Sequence, residues 1–134
     1  MNEANLLWPA IVQAALIGLV YTLLGIVRRR AVVTGRATST DFAPWDEPRE
    51  SAEVRRHLAN QFEMPLLFFV VIGYLVAVNA VSAIDVWLAW TFVASRILHS
   101  VGALLGPLWL RHLAFTIGTF LLAGLWVHLV VTIW

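Results

Sequence analysis

The chain contains no cysteine, which excludes disulfides, cysteine–zinc sites and catalysis by a protein thiol. Lysine is absent too, so all nine cationic side chains other than histidine are arginines. Charge of either sign is scarce. Acidic and basic residues make up 13% of the 134 positions, against about 25% in a soluble domain. The net charge of +1 gives no electrostatic reason to bind nucleic acid, whose recognition rests on dense cationic contacts to phosphate. The four histidines, at 57, 99, 112 and 128, do not have the spacing of a zinc site, so no metal is expected. Repeats and low-complexity segments are also missing.

What the chain has in abundance is apolar side chain, 60% of its residues. A domain this short buries only part of its surface, so the bilayer is the expected solvent and membrane lipids the first expected partner. A membrane helix needs about 20 apolar residues. Four runs qualify, and the chain reads as a single domain with spans at about 6–27, 58–81, 84–105 and 110–134. The first run has no basic residue before it and three arginines after it, the reverse of a cleaved signal, so it reads as a retained span. The runs do not alternate as barrel strands do, and backbone groups in lipid must be satisfied within each segment. The fold class is therefore all-α: an integral membrane four-helix bundle with up-down topology, set by the short connections between the last three spans.

Arginine fixes the orientation. Arg28, Arg29, Arg30, Arg36, Arg49, Arg55 and Arg56 all fall between spans one and two, and Arg111 lies on the same side by topology. The positive-inside rule makes that side cytoplasmic. The protein is thus expected to be multi-pass, with the 28–56 connection in the cytosol and both termini outside. Within this connection, residues 31–46, including Gly35, Pro44 and Asp46, read as the true loop of a cytoplasmic region at about 28–50. Pro48, Glu47 and Glu50 suit the first turn of a helix starting near 47–51. The tryptophans at 8, 45, 87, 90, 109, 126 and 134 mostly fall near span ends, as interfacial anchors do.

The stretch "RRHLANQFEMP", residues 55–65, places polar groups at the membrane edge. On a helix Arg56, Asn60 and Glu63 share one face. Arg96 and His99, three residues apart, share a face of the third span. An intramembrane arginine usually pairs with an acid inside the bundle, and Glu63 is the acid nearest hydrocarbon, so a Glu63–Arg96 pair is expected. Arg111 and His112 enter at the start of the fourth span. Together these groups outline a cationic pocket for an anionic, hydrogen-bonding ligand, which arginine grips with its planar fork. The plainer alternative makes Arg55 and Arg111 anchors for lipid phosphate, Asn60 and Gln61 interhelical partners, and Glu63–Arg96 a structural pair. Gly102 and Gly106 form a small-xxx-small pair that permits close helix packing.

At these residues the chain resembles the MAPEG family, the membrane-associated proteins in eicosanoid and glutathione metabolism, in a bacterial-type form. "RRHLANQFEMP" is similar to the family's second-helix pattern of arginine, asparagine, glutamate and a nearby proline. "SRILHSVG" is similar to its third-helix pattern, an arginine followed three residues later by histidine. The resemblance implies a homotrimer in the bacterial inner membrane, with glutathione as co-substrate at a subunit interface open to the cytosol. It implies substrate-binding roles for Arg56, Asn60, Glu63, Arg96 and His99, and a catalytic role for Arg111 near the thiol. The activity implied is conjugation or reduction of a hydrophobic electrophile, as a glutathione S-transferase or peroxidase. Four positions depart from the family pattern, one of them Pro65, which stands one residue closer to Glu63 than in common versions. Ala59 stands where many catalytic members have a second arginine, and Ala103 and Phe115 stand where eicosanoid-pathway members have tyrosine. Phenylalanine has no hydroxyl to offer a sulfur, which leaves open an alternative: a non-catalytic lipid-binding or accessory scaffold protein on the same fold.

Overall fold

The computed structural model describes residues 4–43 and 47–134. Pro44, Trp45 and Asp46, assigned above to the loop and the interfacial belt, lie outside the described residues. Every regular element among the described residues is helical: α1 (Ala4–Val33), α2 (Arg49–Asn60), α3 (Met64–Ala77), α4 (Ala83–Leu104) and α5 (Leu108–Ile133). Since α2 and α3 are the two halves of one interrupted helix, the architecture is the expected all-α four-helix arrangement.

The interruption has a local cause. Pro65, at the start of α3, has no N–H to give the carbonyl of Gln61, and its ring crowds that carbonyl. The chain tightens into a turn over 61–63, with Gln61 N donating to Leu58 O at 3.0 Å and Phe62 N to Ala59 O at 2.9 Å. The expected uninterrupted run over 58–81 is therefore broken, and it ends at Ala77, with Asn79 in the left-handed region at φ 55°. Helix α2 starts where the acids and proline placed it, with Pro48 before it and Glu50 in its first turn. Helix α1 runs six residues past the apolar stretch, because hydropathy ends at Arg28 but helical backbone does not. It stops at Gly35, whose φ of 69° is one that glycine adopts freely. At the opposite end of the bundle, Ser82 and Asp85 form a reciprocal cap on α4.

Side-chain pairs give the direction of each helix. Gln13 meets Gln61 while Arg28 meets Glu47 and Arg55 meets that same carboxylate, so α1 runs against α2–α3. His57 meets Ser100 while Phe68 stacks on Phe92 at 4.4 Å, so α2–α3 runs against α4. Gly102 meets Arg111 while Gly118 meets Ser95, so α4 runs against α5. The topology is up-down. The core holds Phe68, Val71, Leu75, Phe92 and Leu125, whereas Leu19, Trp87, Phe120 and Val131 face outward. This apolar exterior is what a bilayer solvates and water does not. Among the described residues, three helical stretches are long and apolar enough to cross a membrane: Asn5–Val33, Arg49–Ala77 and Leu108–Ile133. Helix α4 has 22 residues but carries Asp85, Arg96 and His99, all buried inside the bundle.

The α1–α2 connection is clasped by one carboxylate. Glu47 accepts hydrogen bonds from Arg28 on α1, at 2.7 and 3.0 Å, and from Arg55 on α2. Its side chain has no exposed area, although it lies near the protein surface, because the two guanidinium groups cover it. Burial works to raise its pKa, but the bonds from Arg28 and Arg55 outweigh burial and leave it below the ordinary value of 4.5. A depressed carboxylate contributes stability that is present above the unfolded-state pKa and lost as pH falls through the lower folded-state value. Glu47→Gln should therefore lower the melting temperature in detergent at neutral pH. It should also remove part of the acid destabilisation below about pH 4.5. The loss at neutral pH should be about 1 kcal/mol, since both arginines remain partly hydrated. Equal melting curves for the two proteins from pH 7 to pH 3 would show that the clasp contributes nothing.

Candidate functional site

Two adjoining cavities open at the arginine-rich end of the bundle, where α2 begins, α4 finishes and α5 begins. The larger, of about 630 Å³, is lined by Arg49, Glu53, Arg56 and His57 from α2, Gly102 and Ala103 from α4, and Leu108 and Arg111 from α5. The smaller, of about 250 Å³, is lined by Asn60, Glu63, His99, Arg111, His112 and Phe115. Arg111 belongs to both walls.

Arg111 reaches that position because α4 and α5 nearly touch. A Cβ placed on Gly102 would stand 2.7 Å from Arg111 N and 3.0 Å from its Cα. Lower in the same seam a Cβ on Gly118 would stand 2.7 Å from Ser95 Oγ. In lipid, apolar burial does not drive helices together, so close packing at small residues and interhelical hydrogen bonds set their spacing. Gly102 is therefore part of how the arginine is delivered. A Cβ placed on Gly106 would stand 3.0 Å from Gly102 Cα, so Gly106 tightens the α4–α5 connection rather than facing a separate helix.

The six residues singled out from the sequence do not form one face. Asn60, Glu63, His99 and Arg111 are brought together in the smaller cavity, whereas Arg56 shares the larger one with Arg111. The turn over 61–63 takes Glu63 off the regular path of α2 and leaves it beside Asn60, the last residue of that helix, on the smaller cavity, one turn away from Arg56. Arg96 lines neither cavity. It is fully buried, none of its three guanidinium nitrogens has a hydrogen-bond partner among the described residues, and it lies 5.9 Å from the centre of the Phe115 ring. The expected Glu63–Arg96 ion pair is not formed: Glu63 is exposed on the turn while Arg96 is buried behind Phe115. Leaving a buried guanidinium unpaired is unfavourable, and the field it sends into the neighbouring cavity favours an anion.

Behind the cavities lies a polar knot that links three helices. Gln13 Nε2 donates to Gln61 Oε1 at 3.2 Å, and Gln61 Nε2 donates to Ser100 Oγ at 3.1 Å. Ser100 Oγ gives its own proton to Arg96 O at 2.9 Å, so towards Gln61 and His57 Nε2 (3.0 Å) it accepts. The His57 and His99 rings lie 5.3 Å apart, and His99 lies 5.9 Å from Phe115. From the sequence His57 has no role, His112 is only a neighbour of Arg111 in the expected pocket, where it does line the smaller cavity, and Gln13 has no partner. The signal for Gln13 was present, since it is the one strongly polar side chain in the apolar stretch of α1. Nothing in the linear order marks Ser100 as its correspondent. Among the described residues, no cluster of three His, Asp or Glu stands close enough to hold a metal ion.

The arrangement puts Arg56 and Arg111 on the wall of one open cavity and Arg111 with Asn60, Glu63 and His99 on the wall of the other, which favours an anionic, hydrogen-bonding ligand. The family model that matches the chain is that of the MAPEG family, over residues 6–131. Neither curated proteins nor solved structures yield a match.

Proposed function

The chain belongs to the MAPEG family, and on that premise we propose that it binds glutathione at the arginine-rich end of the bundle. Its thiol then conjugates or reduces a hydrophobic electrophile that arrives through the bilayer. The observation that carries this reading is the position of Arg111 on the wall of both cavities, with Arg56 in one and Asn60, Glu63 and His99 in the other. Glutathione carries two carboxylates, one ammonium and one thiol. Arg56 and Arg111 supply forks for carboxylate. Glu63, which has no ion-pair partner among the described residues, supplies a countercharge for the ammonium, and Asn60 a neutral hydrogen-bonding group. His99 walls the thiol end, and Arg96 biases the site towards anions from behind. The thiolate, not the thiol, is the nucleophile, and Arg111 stabilises it.

In this reading α1, α2–α3, α4 and α5 all cross the membrane, with the 28–56 connection in the cytosol and both termini outside. The protein works as a homotrimer in a bacterial inner membrane, with each site completed at a subunit boundary. A second reading is favoured by Ala103 and Phe115, which place no hydroxyl beside the sulfur: the same pocket holds a lipid phosphate without turnover. The experiment is calorimetry with glutathione on the purified full-length protein, followed by an assay of conjugation to a generic electrophile. Saturable glutathione binding with turnover is the expected result. Binding of an anionic lipid headgroup with no response to glutathione would replace it with the second reading.

A further inference from the structure

We propose that His57 is a specificity residue of the larger cavity, whose Nδ1 accepts a hydrogen bond from an amide N–H of the bound tripeptide; this rests on the glutathione reading above. His57 follows Arg56 on α2 and lines that cavity together with Gly102, Ala103 and Arg111. Its ring is nonetheless buried, with 3% of the residue exposed. The two ring nitrogens differ in their surroundings. Nε2 lies 3.0 Å from Ser100 Oγ and 3.2 Å from Gln61 Nε2. Nδ1 has no hydrogen-bond partner among the described residues.

The order of hydrogen bonds around Ser100 decides where the ring proton sits. The Ser100 hydroxyl has one proton and gives it to Arg96 O at 2.9 Å. Towards His57 it therefore accepts, and Nε2 is the nitrogen that donates. The opposite tautomer would set the Nε2 lone pair against those of Ser100 Oγ at 3.0 Å. Gln61 fits the same order, since its Oε1 accepts from Gln13 and its amide nitrogen donates to Ser100 Oγ at 3.1 Å. In the neutral ring Nδ1 then carries the lone pair. A buried acceptor without a donor is unfavourable, and the cavity that His57 lines is the route by which a ligand brings one.

The chemistry of that donor follows from the rest of the wall. The other polar side chains lining this cavity are Arg49, Glu53, Arg56 and Arg111, all charged. Glu53 is engaged by Arg49 at 2.9 Å, and Ala103 brings no polar atom. His57 is thus the neutral hydrogen-bonding side chain of this wall among the described residues, and its lone pair repels a carboxylate and takes an N–H. With the ligand carboxylates on arginine, the ammonium on Glu63 and the thiol in the smaller cavity, the donors left over are the two peptide amides.

The test compares glutathione with two depsipeptide analogues, in each of which an ester oxygen replaces one amide N–H. Binding to the full-length protein is measured by calorimetry at about pH 8, where an ordinary histidine is neutral. Wild type should bind one analogue roughly 10-fold more weakly than glutathione, because the ester leaves a buried acceptor unpaired. His57→Phe keeps a ring and has no nitrogen, so it should bind that analogue and glutathione equally. Ser100→Ala leaves His57 in place and removes the acceptor that holds the proton on Nε2, so the gap should narrow there too. A wild type that binds both analogues as tightly as glutathione overturns the role of His57 and leaves the glutathione reading intact. A gap that keeps its full width in His57→Phe does the same, as does one that keeps it in Ser100→Ala where His57→Phe does not fold. A wild type that binds none of the three compounds overturns both.

Discussion

Arg111→Ala is expected to lower kcat/KM for glutathione conjugation roughly 100- to 1,000-fold, the usual consequence of removing one fixed charge or donor from the place where negative charge develops. The effect is large because Arg111 lines both cavities. On the proposed reading, its loss removes a fork for a ligand carboxylate and the positive neighbour of the sulfur. The two contributions can be separated. Difference absorbance of bound thiolate should disappear in Arg111→Ala at neutral pH and reappear at a more alkaline pH, because a thiol without a cation beside it keeps its proton longer. Arg111→Lys keeps the charge and gives up the planar fork, so it should retain thiolate formation better than glutathione affinity. An Arg111→Ala protein that conjugates as fast as wild type would remove Arg111 from the chemistry.

The second large effect requires no change at a ligand-binding side chain. Gly102→Ala puts a methyl group 2.7 Å from Arg111 N, inside any real Cβ contact. The obstacle is backbone, so rotation of a side chain does not relieve it and α5 must move away from α4. Overpacking of this kind typically destabilises by about 1–3 kcal/mol, seen as a lower melting temperature in detergent. The displacement also carries Arg111 outward, so glutathione affinity should fall together with stability. Gly73→Ala is the control. It lies in α3 with nothing within 4 Å of its virtual Cβ, and alanine there should be neutral or stabilising by up to about 1 kcal/mol. Equal melting temperatures for Gly102→Ala and wild type would mean that the two helices do not approach this closely.

The four-helix architecture was legible because hydropathy, arginine asymmetry and short connections all act locally along the chain. The start of α2 was legible for the same reason, since proline and first-turn acids are positional signals. Two features escaped. The break over 61–63 follows from Pro65, which the family resemblance presented as a spacing difference after Glu63, whereas its physical effect falls on the carbonyl four residues earlier. That turn separates Glu63 from Arg56 and undoes the pair with Arg96, because helical spacing assumed an unbroken helix. The extension of α1 to Val33 escaped because hydropathy reports where lipid ends and says nothing about backbone geometry. Candidate site residues were legible as a group, since polar side chains at a membrane edge are conspicuous. Which of them share a cavity was not, because that depends on how α4 and α5 meet at Gly102, a contact between positions nine residues apart.

The knot formed by Gln13, Gln61 and Ser100 has a consequence for assembly. Outside Gln13 the bilayer-spanning part of α1 is greasy all round, so dispersion contacts leave its azimuth about its own axis nearly degenerate. A single amide, bonded at a fixed depth, removes that freedom. It also indexes α1 vertically against α2–α3, so the four rods lock at one phase instead of sliding as a smooth bundle would. Exchanging Gln13 for leucine would leave insertion intact and loosen the gearing between the helix that carries Arg28 and those that carry Arg56 and Arg111.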